Sequence, residues 1–475
     1  MVAQKDYHLV VLGGGTGGYV AAIRAAQLGF CVAIVEQEQL GGTCLHKGCI
    51  PTKALLRTAE VWSTVHHAST FGITIGEATL DFSQAMSRKA DIVKQLYKGI
   101  QFLMKKNQID VIAGRGRLMG PSIFSPQAGA VRVQETSGDS QILTPRFTLV
   151  ATGSTPKELP GLDFDGVFVL HSDHALSMTV LPLSAIIVGG GAIGVEWASL
   201  WNDMGVKVTV VEFMPSLLPA EDAEVSAELT RSFKKRKIQV LTETRILSDT
   251  LEKHGDGLTV QVRKGDHVET LSASVLLVAV GRTPNTQDIG LEAIEMPLHQ
   301  GAIVVNGDFQ TAEKNIFAIG DVIGGLQLAH VAAHEGIHAV EVMAGLHPAP
   351  LNESWIPRCT YTRPEVASLG LTEAQAKEQG YTVKTGKFSF KANGKALILG
   401  EPNGFVKIVA DSIHDDLLGI HMIGPHVTDL VSEAALAKVL DATPWEIGIT
   451  VHPHPTLSEA FGEAALAVNG QSIHI

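Results

Sequence analysis

The apolar positions trace one pattern twice along the chain. His8-Leu9-Val10-Val11-Leu12 is an unbroken apolar run of strand length, which predicts a strand buried on both faces. A glycine-rich turn follows, then a helical stretch from Tyr19 to Leu28, then a second apolar run, Cys31 to Val35, that stops at Glu36. The order recurs as a strand from Ala185 to Val188, a second glycine-rich turn, a helix to Met204 and a strand Lys207 to Val211 ending at Glu212. Thr148 to Gly153 and Leu276 to Gly281 read as strands closing each copy. Ile316 to Asp321 reads as a strand ending on an acid. From about Ser354 onward the pattern is mixed, with short strands at Lys387 to Phe390 and Val406 to Val409 between helices.

The turns are Gly13-Gly14-Gly15-Thr16-Gly17-Gly18 and Gly189-Gly190-Gly191-Ala192-Ile193-Gly194, and in both copies the acid stands 23 positions after the first glycine. In a GxGxxG turn the first glycine permits the tight bend and the second lets backbone approach a pyrophosphate. The third lets helix and strand pack closely. The helix N-terminus then offers free N–H groups and a positive dipole end to the phosphates, and the acid can accept from ribose hydroxyls. One such turn is weak evidence. Two, each within strand–helix–strand and each with a correctly placed Glu, predict an α/β protein with two Rossmann-like dinucleotide sites. No Arg follows Glu212 closely, where Phe213 and Met214 stand instead, so NAD is expected over NADP.

Length and composition narrow the class. A chain of 475 residues holds about three domains at ~150 residues each, and 45% hydrophobic against 18% charged residues supports large cores. The net charge of -12, with no Lys/Arg run that stands out, argues against nucleic acid and leaves an acidic surface able to steer a basic partner. The polar start Met1 to His8 leads straight into a strand, so no signal peptide is expected. The longest apolar runs, such as Val275 to Val280, fall far short of a membrane span. Four cysteines make no disulfide scaffold, which points to a reducing, cytoplasmic setting.

Cys44 and Cys49 flank a short loop, with Pro51 suited to the first turn of a helix through Ala54 to Trp62. Thiolates at a helix N-terminus are stabilised and reactive. A metal pair or two buried thiols are the alternatives, yet no second Cys or His set has zinc spacing, and no metal site is expected. His452-Pro453-His454-Pro455-Thr456-Leu457-Ser458-Glu459 supplies an imidazole and a carboxylate; alone it would read as an inert surface pair, with His452 structural. His334-Glu335-Gly336-Ile337-His338 matches HExxH, but Gly336 weakens the helix and no third ligand follows. Cys31 and Cys359 are expected as buried small hydrophobes.

On Gly41-Gly42-Thr43-Cys44 through Cys49-Ile50-Pro51-Thr52-Lys53, the two glycine motifs and the terminal His-Pro-His-Pro run, the chain resembles the flavin-dependent pyridine nucleotide-disulfide oxidoreductases over nearly its whole length. Within them it looks most like the dihydrolipoamide dehydrogenase branch. The resemblance implies FAD at Gly13, Gly15, Gly18, Glu36, Gly42, Thr43, Lys53, Gly116, Thr152, Gly153, Asp321 and Ala329. It implies NAD at Gly189, Gly191, Ala192, Ile193, Gly194, Glu212, Val240, Ala279 and Gly281. It divides the chain into 1–153 and 284–353 for FAD, 154–283 for NAD, and 354–475 as the interface domain of a homodimer. Cys44 would exchange with substrate and Cys49 would meet the flavin. His454 would be the base, held by Glu459, and would reach the disulfide of the neighbouring subunit. Mercuric reductases carry a C-terminal cysteine pair and glutathione reductases carry arginines after the second Glu; both features are absent here. Leu45-His46-Lys47 and the terminal run look most like enzymes of bacterial branched-chain 2-oxo acid dehydrogenase complexes. That implies a lipoyl domain of the acyltransferase component as partner. Arg363 stands where the branch often has His before Pro364-Glu365. A soluble transhydrogenase, another disulfide reductase, or a flavin-binding sensor without turnover are the competing readings.

Overall fold

A computed structural model describes residues 5–121 and 128–474. Met1–Gln4 of the polar start and the terminal Ile475 lie outside the described residues. The chain divides into two compact units: Met1–Ala54, Ser83–Lys157 and Arg282–Leu351 form one, and Leu55–Phe82, Glu158–Gly281 and Asn352–Ile475 the other.

The first unit is built on a seven-stranded sheet in the order 316–318, 147–150, 9–12, 32–36, 110–119, 130–135 and 140–143. The first five strands are parallel and the last two return antiparallel. Leu9–Leu12 lies at the centre, buried along its length, as an apolar run covered on both faces should be. Helix Thr16–Gln27 crosses helix Ala329–Met343 at small residues. A Cβ on Gly336 would lie 2.8 Å from the Gly17 carbonyl and 3.0 Å from Ala21 Cβ. That contact explains a glycine inside a helix, where it costs about 1 kcal/mol relative to Ala. The strands Ser154–Pro156 and Arg282–Pro284 pair antiparallel.

The second unit holds a five-stranded parallel sheet in the order 239–241, 207–211, 184–188, 275–278, 169–170, and a three-stranded antiparallel meander over 245–273. It also holds a five-stranded antiparallel sheet in the order 358–360, 365–370, 417–424, 405–411, 383–389. Helices Val427–Val439 and Glu459–Val468 contribute Val431, Ala434, Phe461 and Ala464 to the core over that last sheet. Strand 405–411 is buried almost throughout, yet Lys407 stands within it. Its Nζ donates to both oxygens of Asp222 at 3.1 Å and to Glu373 at 2.8 Å, with Glu224 also 2.8 Å away. Burial opposes the Lys407 charge, but the hydrogen bonds to Glu224 and Glu373 and the nearby Asp222 outweigh it and raise its pKa. Hydrogen bonds from Lys377 and Lys407 hold the Glu373 carboxyl down at about 2. Arg363 donates from Nη2 to Asp203 at 2.6 Å, and Arg236 lies 2.9 Å from the same oxygen.

Several boundaries differ from the sequence expectation. The helix after the cysteine pair starts at Cys49 itself and runs to His66. The strands expected at 387–390 and 406–409 extend to Val383–Ser389 and Phe405–Asp411. Cys31 precedes its strand, its backbone bound to His8, and both Cys31 and Cys359 are half-buried rather than buried. Among the described residues no helix is long and apolar enough to cross a membrane.

The buried Lys407–Asp222 pair sets a prediction. Lys407→Met leaves Asp222 buried without its cation and should cost about 3 kcal/mol in denaturant unfolding. Lys47→Met, which removes the exposed pair with Glu38, should cost less than about 1 kcal/mol. Equal effects for the two variants would contradict the account.

Candidate active site

The two glycine turns are built alike down to single atoms. Gly13 and Gly189 have φ of +102° and +108°, and a Cβ on either would overlap a carbonyl, that of Ala151 or of Ala279. A Cβ on Gly18 or Gly194 would overlap the carbonyl oxygen of Gly13 or Gly189, so helix and strand meet backbone to backbone. Above Gly191 there is open space within 4 Å of the Cβ position, and above Gly15 only Gly42 Cα at 3.9 Å. Here the helix N-termini at Thr16 and Ala192 face outward with room for phosphate.

The acids repeat as well. Glu36 accepts from the Gly14 N–H at 2.7 Å through Oε2 and from Glu38 N–H at 2.7 Å through Oε1. Glu212 accepts from Gly190 N–H at 2.5 Å and from Met214 N–H at 2.6 Å in the same way. Each carboxylate is thus fixed by backbone donors while keeping lone pairs for ribose hydroxyls. A cavity of about 720 Å³ opens beside Glu36, lined among others by Leu40, Tyr97, Met104 and Ala113. These features fit a dinucleotide at each turn.

The remaining residues expected on the FAD side lie in the first unit. Thr152 donates to the Asn285 carbonyl at 2.8 Å and Gly153 turns with φ +72°. Asp321, in the 3-10 turn Gly320–Ile323, accepts from the Ser154 hydroxyl, whose oxygen in turn receives Arg282 Nε at 2.7 Å. Ala329 opens helix Ala329–Met343, and Gly116 lies half-buried in strand Asp110–Met119. Thr43 stands in the short helix Gly42–His46 and Lys53 is half-buried in the helix from Cys49. On the second motif, Ala192 and Ile193 form the first helical turn. Ala279 N–H binds the Val188 carbonyl at 2.7 Å, Val240 pairs with Val210, and Gly281 has φ +113°.

Cys44 and Cys49 are joined as a disulfide with Cα atoms 4.7 Å apart. Cys49 is the first residue of an 18-residue helix, so a thiolate there gains the dipole that Cys44, inside a five-residue helix, largely lacks. In the second unit His454 Nδ1 lies 2.9 Å from Glu459 Oε1, and Glu459 Oε2 accepts from Thr456 N–H at 2.8 Å. Burial works to raise the Glu459 pKa, but Thr456 and His454 outweigh it and the carboxyl stays below its ordinary range. The imidazole is open to solvent while its carboxylate is largely covered. His452 pairs with Glu433 at 2.8 Å and is nearly buried, packed where a Cβ on Gly462 would stand 2.9 Å from its ring. A third His–Glu pair, His474 with Glu463 at 2.7 Å, ties the C-terminal segment to the helix that carries Glu459 and had no sequence signal beyond the residues themselves.

Residues of the HExxH run have hydrogen-bond partners within the first unit. Glu335 is buried and accepts from Gly320 N–H at 2.6 Å, and His338 lies 3.1 Å from Asp308. Among the described residues no group of three or more His, Cys, Asp or Glu is placed to hold a metal ion.

The hydrogen bond to Glu433 raises the His452 pKa, with burial opposing. A raised value in the folded state means stability that is complete below the unfolded value of about 6.5 and fades as pH climbs through the folded one. Glu433→Gln should therefore cost about 1 kcal/mol near pH 6 and progressively less toward pH 9. Urea midpoints across that range check it, and a pH-independent cost would refute the charged pair.

Comparison with known proteins agrees with this geometry. The family described as pyridine nucleotide-disulphide oxidoreductase matches residues 7–336, and its dimerisation domain matches residues 356–465. The chain is 57% identical to a dihydrolipoyl dehydrogenase of Bacillus subtilis, over 99% of both chains. It is 43% identical to one of Zymomonas mobilis, over 98% of this chain and 99% of that one. Among solved structures, LpdA from Mycobacterium tuberculosis superposes with a TM-score of 0.89 at 28% identity, over 96% of this chain and 98% of that one. On this evidence of sequence and structure together, the chain belongs to the pyridine nucleotide-disulphide oxidoreductases.

Proposed function

We propose that the chain oxidises dihydrolipoyl groups to the lipoyl disulfide and reduces NAD to NADH. In this reading it acts as a homodimer upon the lipoyl domain of the acyltransferase component of a 2-oxo acid dehydrogenase complex. The observation that carries it is the Cys44–Cys49 disulfide at the start of a long helix, directly after a complete dinucleotide turn. The relatives described as dihydrolipoyl dehydrogenases support the substrate class. Segments 1–153 and 284–353 hold FAD, 154–283 hold NAD and 354–475 pair the two copies. Exposed Leu436, Val439, Leu440, Trp445, Ile449 and Val451 supply apolar surface for that pairing. With Cys31 and Cys359 outside any disulfide, we place the activity in the cytoplasm.

His454 Nε2 takes a proton from one dihydrolipoyl thiol, and the thiolate attacks Cys44 Sγ. The Cys44–Cys49 bond breaks and its electron pair leaves on Cys49, which the helix N-terminus stabilises. The second substrate sulfur then attacks its partner sulfur, its proton passing to the departing Cys44 sulfur, which closes the lipoyl disulfide and releases Cys44 as a thiol. Two electrons now reside on the Cys44/Cys49 dithiol. FAD, when bound, supplies the relay that passes them as hydride to NAD, with the remaining proton going to solvent. Glu459 fixes the His454 tautomer by holding Nδ1, so that Nε2 is the atom that works. Because His454 acts on the neighbouring copy's disulfide in this scheme, one copy alone has no complete site.

Purified holoenzyme given dihydrolipoamide should form NADH with NAD and little product with NADP. Cys44→Ser should lower turnover at least about 10³-fold while flavin stays bound. Unchanged turnover in Cys44→Ser, or reduction of glutathione disulfide in place of dihydrolipoamide oxidation, would overturn the proposal.

A further inference from the structure

The chain carries a net charge of -12, yet helix Phe82–Lys106 holds Arg88, Lys89, Lys94, Lys98, Lys105 and Lys106 against one acid, Asp91. Ile100 and Met104 are buried in a core of the first unit, and Val93, Tyr97 and Leu103 pack half-buried against it. At 3.6 residues per turn that inward stripe leaves Lys94, Lys98 and Lys105 together on the opposite, exposed face. Among the described residues none of these three ammonium groups has a carboxylate partner. Phe102 stands on the same side, one helical turn from both Lys98 and Lys106, and is 64% exposed. An open aromatic ring rimmed by cations has the make-up of a protein contact, an apolar anchor inside a charged border.

The helix also runs beside the disulfide. Arg88 Nη1 donates at 3.2 Å to the carbonyl of Ala54, in the helix that Cys49 begins. The Tyr97 ring meets the His46 ring edge-on with centroids 5.5 Å apart, and His46 lies in the loop between Cys44 and Cys49. A polypeptide seated on this helix is therefore close to the sulfurs that exchange with substrate. A lipid surface is poorly served, because Leu96 and Phe102 are the exposed large apolar residues of the helix, too few for insertion.

We propose that this face of helix Phe82–Lys106 is the docking surface for an acidic polypeptide that carries the dihydrolipoyl group on a lysine. The net negative charge of the enzyme repels such a carrier elsewhere, and the basic stripe gives it a favourable seat next to the disulfide loop. Phe102 supplies the apolar contact and Lys94 and Lys98 the charge pairs. Screening over about 8 Å at physiological salt confines their pull to contact range. The inference rests on the reading of the chain as an oxidiser of dihydrolipoyl groups.

Holoenzyme turnover on free dihydrolipoamide and on two synthetic dihydrolipoyl-lysine peptides, one flanked by glutamates and one by lysines, tests it. Wild type should show a KM for the glutamate peptide roughly tenfold below that for the lysine peptide, and added salt should shrink the gap. The double variant Lys94→Glu with Lys98→Glu should abolish or reverse that preference at unchanged kcat, with turnover of free dihydrolipoamide as in the wild type. Equal KM values for the two peptides in the wild type, or a preference that survives in the double variant, overturns the proposal. A loss that extends equally to free dihydrolipoamide also overturns it, since docking then is not what the lysines serve. Cosedimentation of the holoenzyme with phosphatidylglycerol vesicles, abolished in the double variant, would assign the stripe to a lipid surface instead. If the wild type fails to oxidise free dihydrolipoamide at all, the underlying reading falls, a result distinct from each of these.

Discussion

Backbone meets backbone where Gly18 lies over the Gly13 carbonyl and Gly194 over the Gly189 carbonyl, and no side chain of any size fits between. Much of the candidate site depends on that approach. It sets each helix close enough to its strand that the N-terminal amides face outward, and it places the following strand so that Glu36 and Glu212 reach back to Gly14 and Gly190. A carboxylate anchored to two amides has one orientation to offer a ribose. The chain makes this arrangement twice with different neighbours: a cavity with Tyr97 beside Glu36, an exposed Phe213 under an arginine beside Glu212. The construction is shared, and the neighbours differ.

Chemistry in the first unit is then a matter of placement. The loop after the first dinucleotide turn brings Gly42 against Gly15 and puts Cys49 at the head of a long helix. The two sulfurs of one disulfide thereby occupy unequal fields. In the second unit the proposed base is held differently, His454 by Glu459 at the start of the last helix, next to a half-buried dyad, His452 with Glu433, that steadies the same loop. The sheet beneath is tied to residues 222 and 224 by Lys407, a buried charge with three carboxylates around it.

What the sequence made legible follows from where the forces are local. Buried parallel strands are continuous apolar runs, and glycines that admit no Cβ are visible as letters, so both dinucleotide turns and the cysteine pair could be read directly, whereas the terminal histidine stood out only through the family resemblance. Helix Phe82–Lys106 could not, since only Ala85, Ile100 and Met104 among its 25 residues are buried and its apolar stripe is thin. The meander over 245–273 alternates with too few apolar positions to stand out, yet it brings Arg245 over the Phe213 ring. Gly336 looked like a flaw in a helix until Gly17 was found against it. Long-range pairing, which spacing along the chain does not encode, accounts for each of these.

The claim on which the rest turns is that two copies complete each other's site, and mixed dimers test it most directly. Cys44→Ser and His454→Gln homodimers each lack one half of the chemistry and should be inactive. When the two are dissociated and reassembled together, each hybrid dimer should regain one intact site, formed by the disulfide of the His454→Gln copy and the imidazole of the Cys44→Ser copy. The hybrid should then show about half the wild-type turnover per dimer, on the simple count of one site in two. Hybrids as inactive as their parents would mean that Cys44 and His454 must lie in the same copy, contradicting the account.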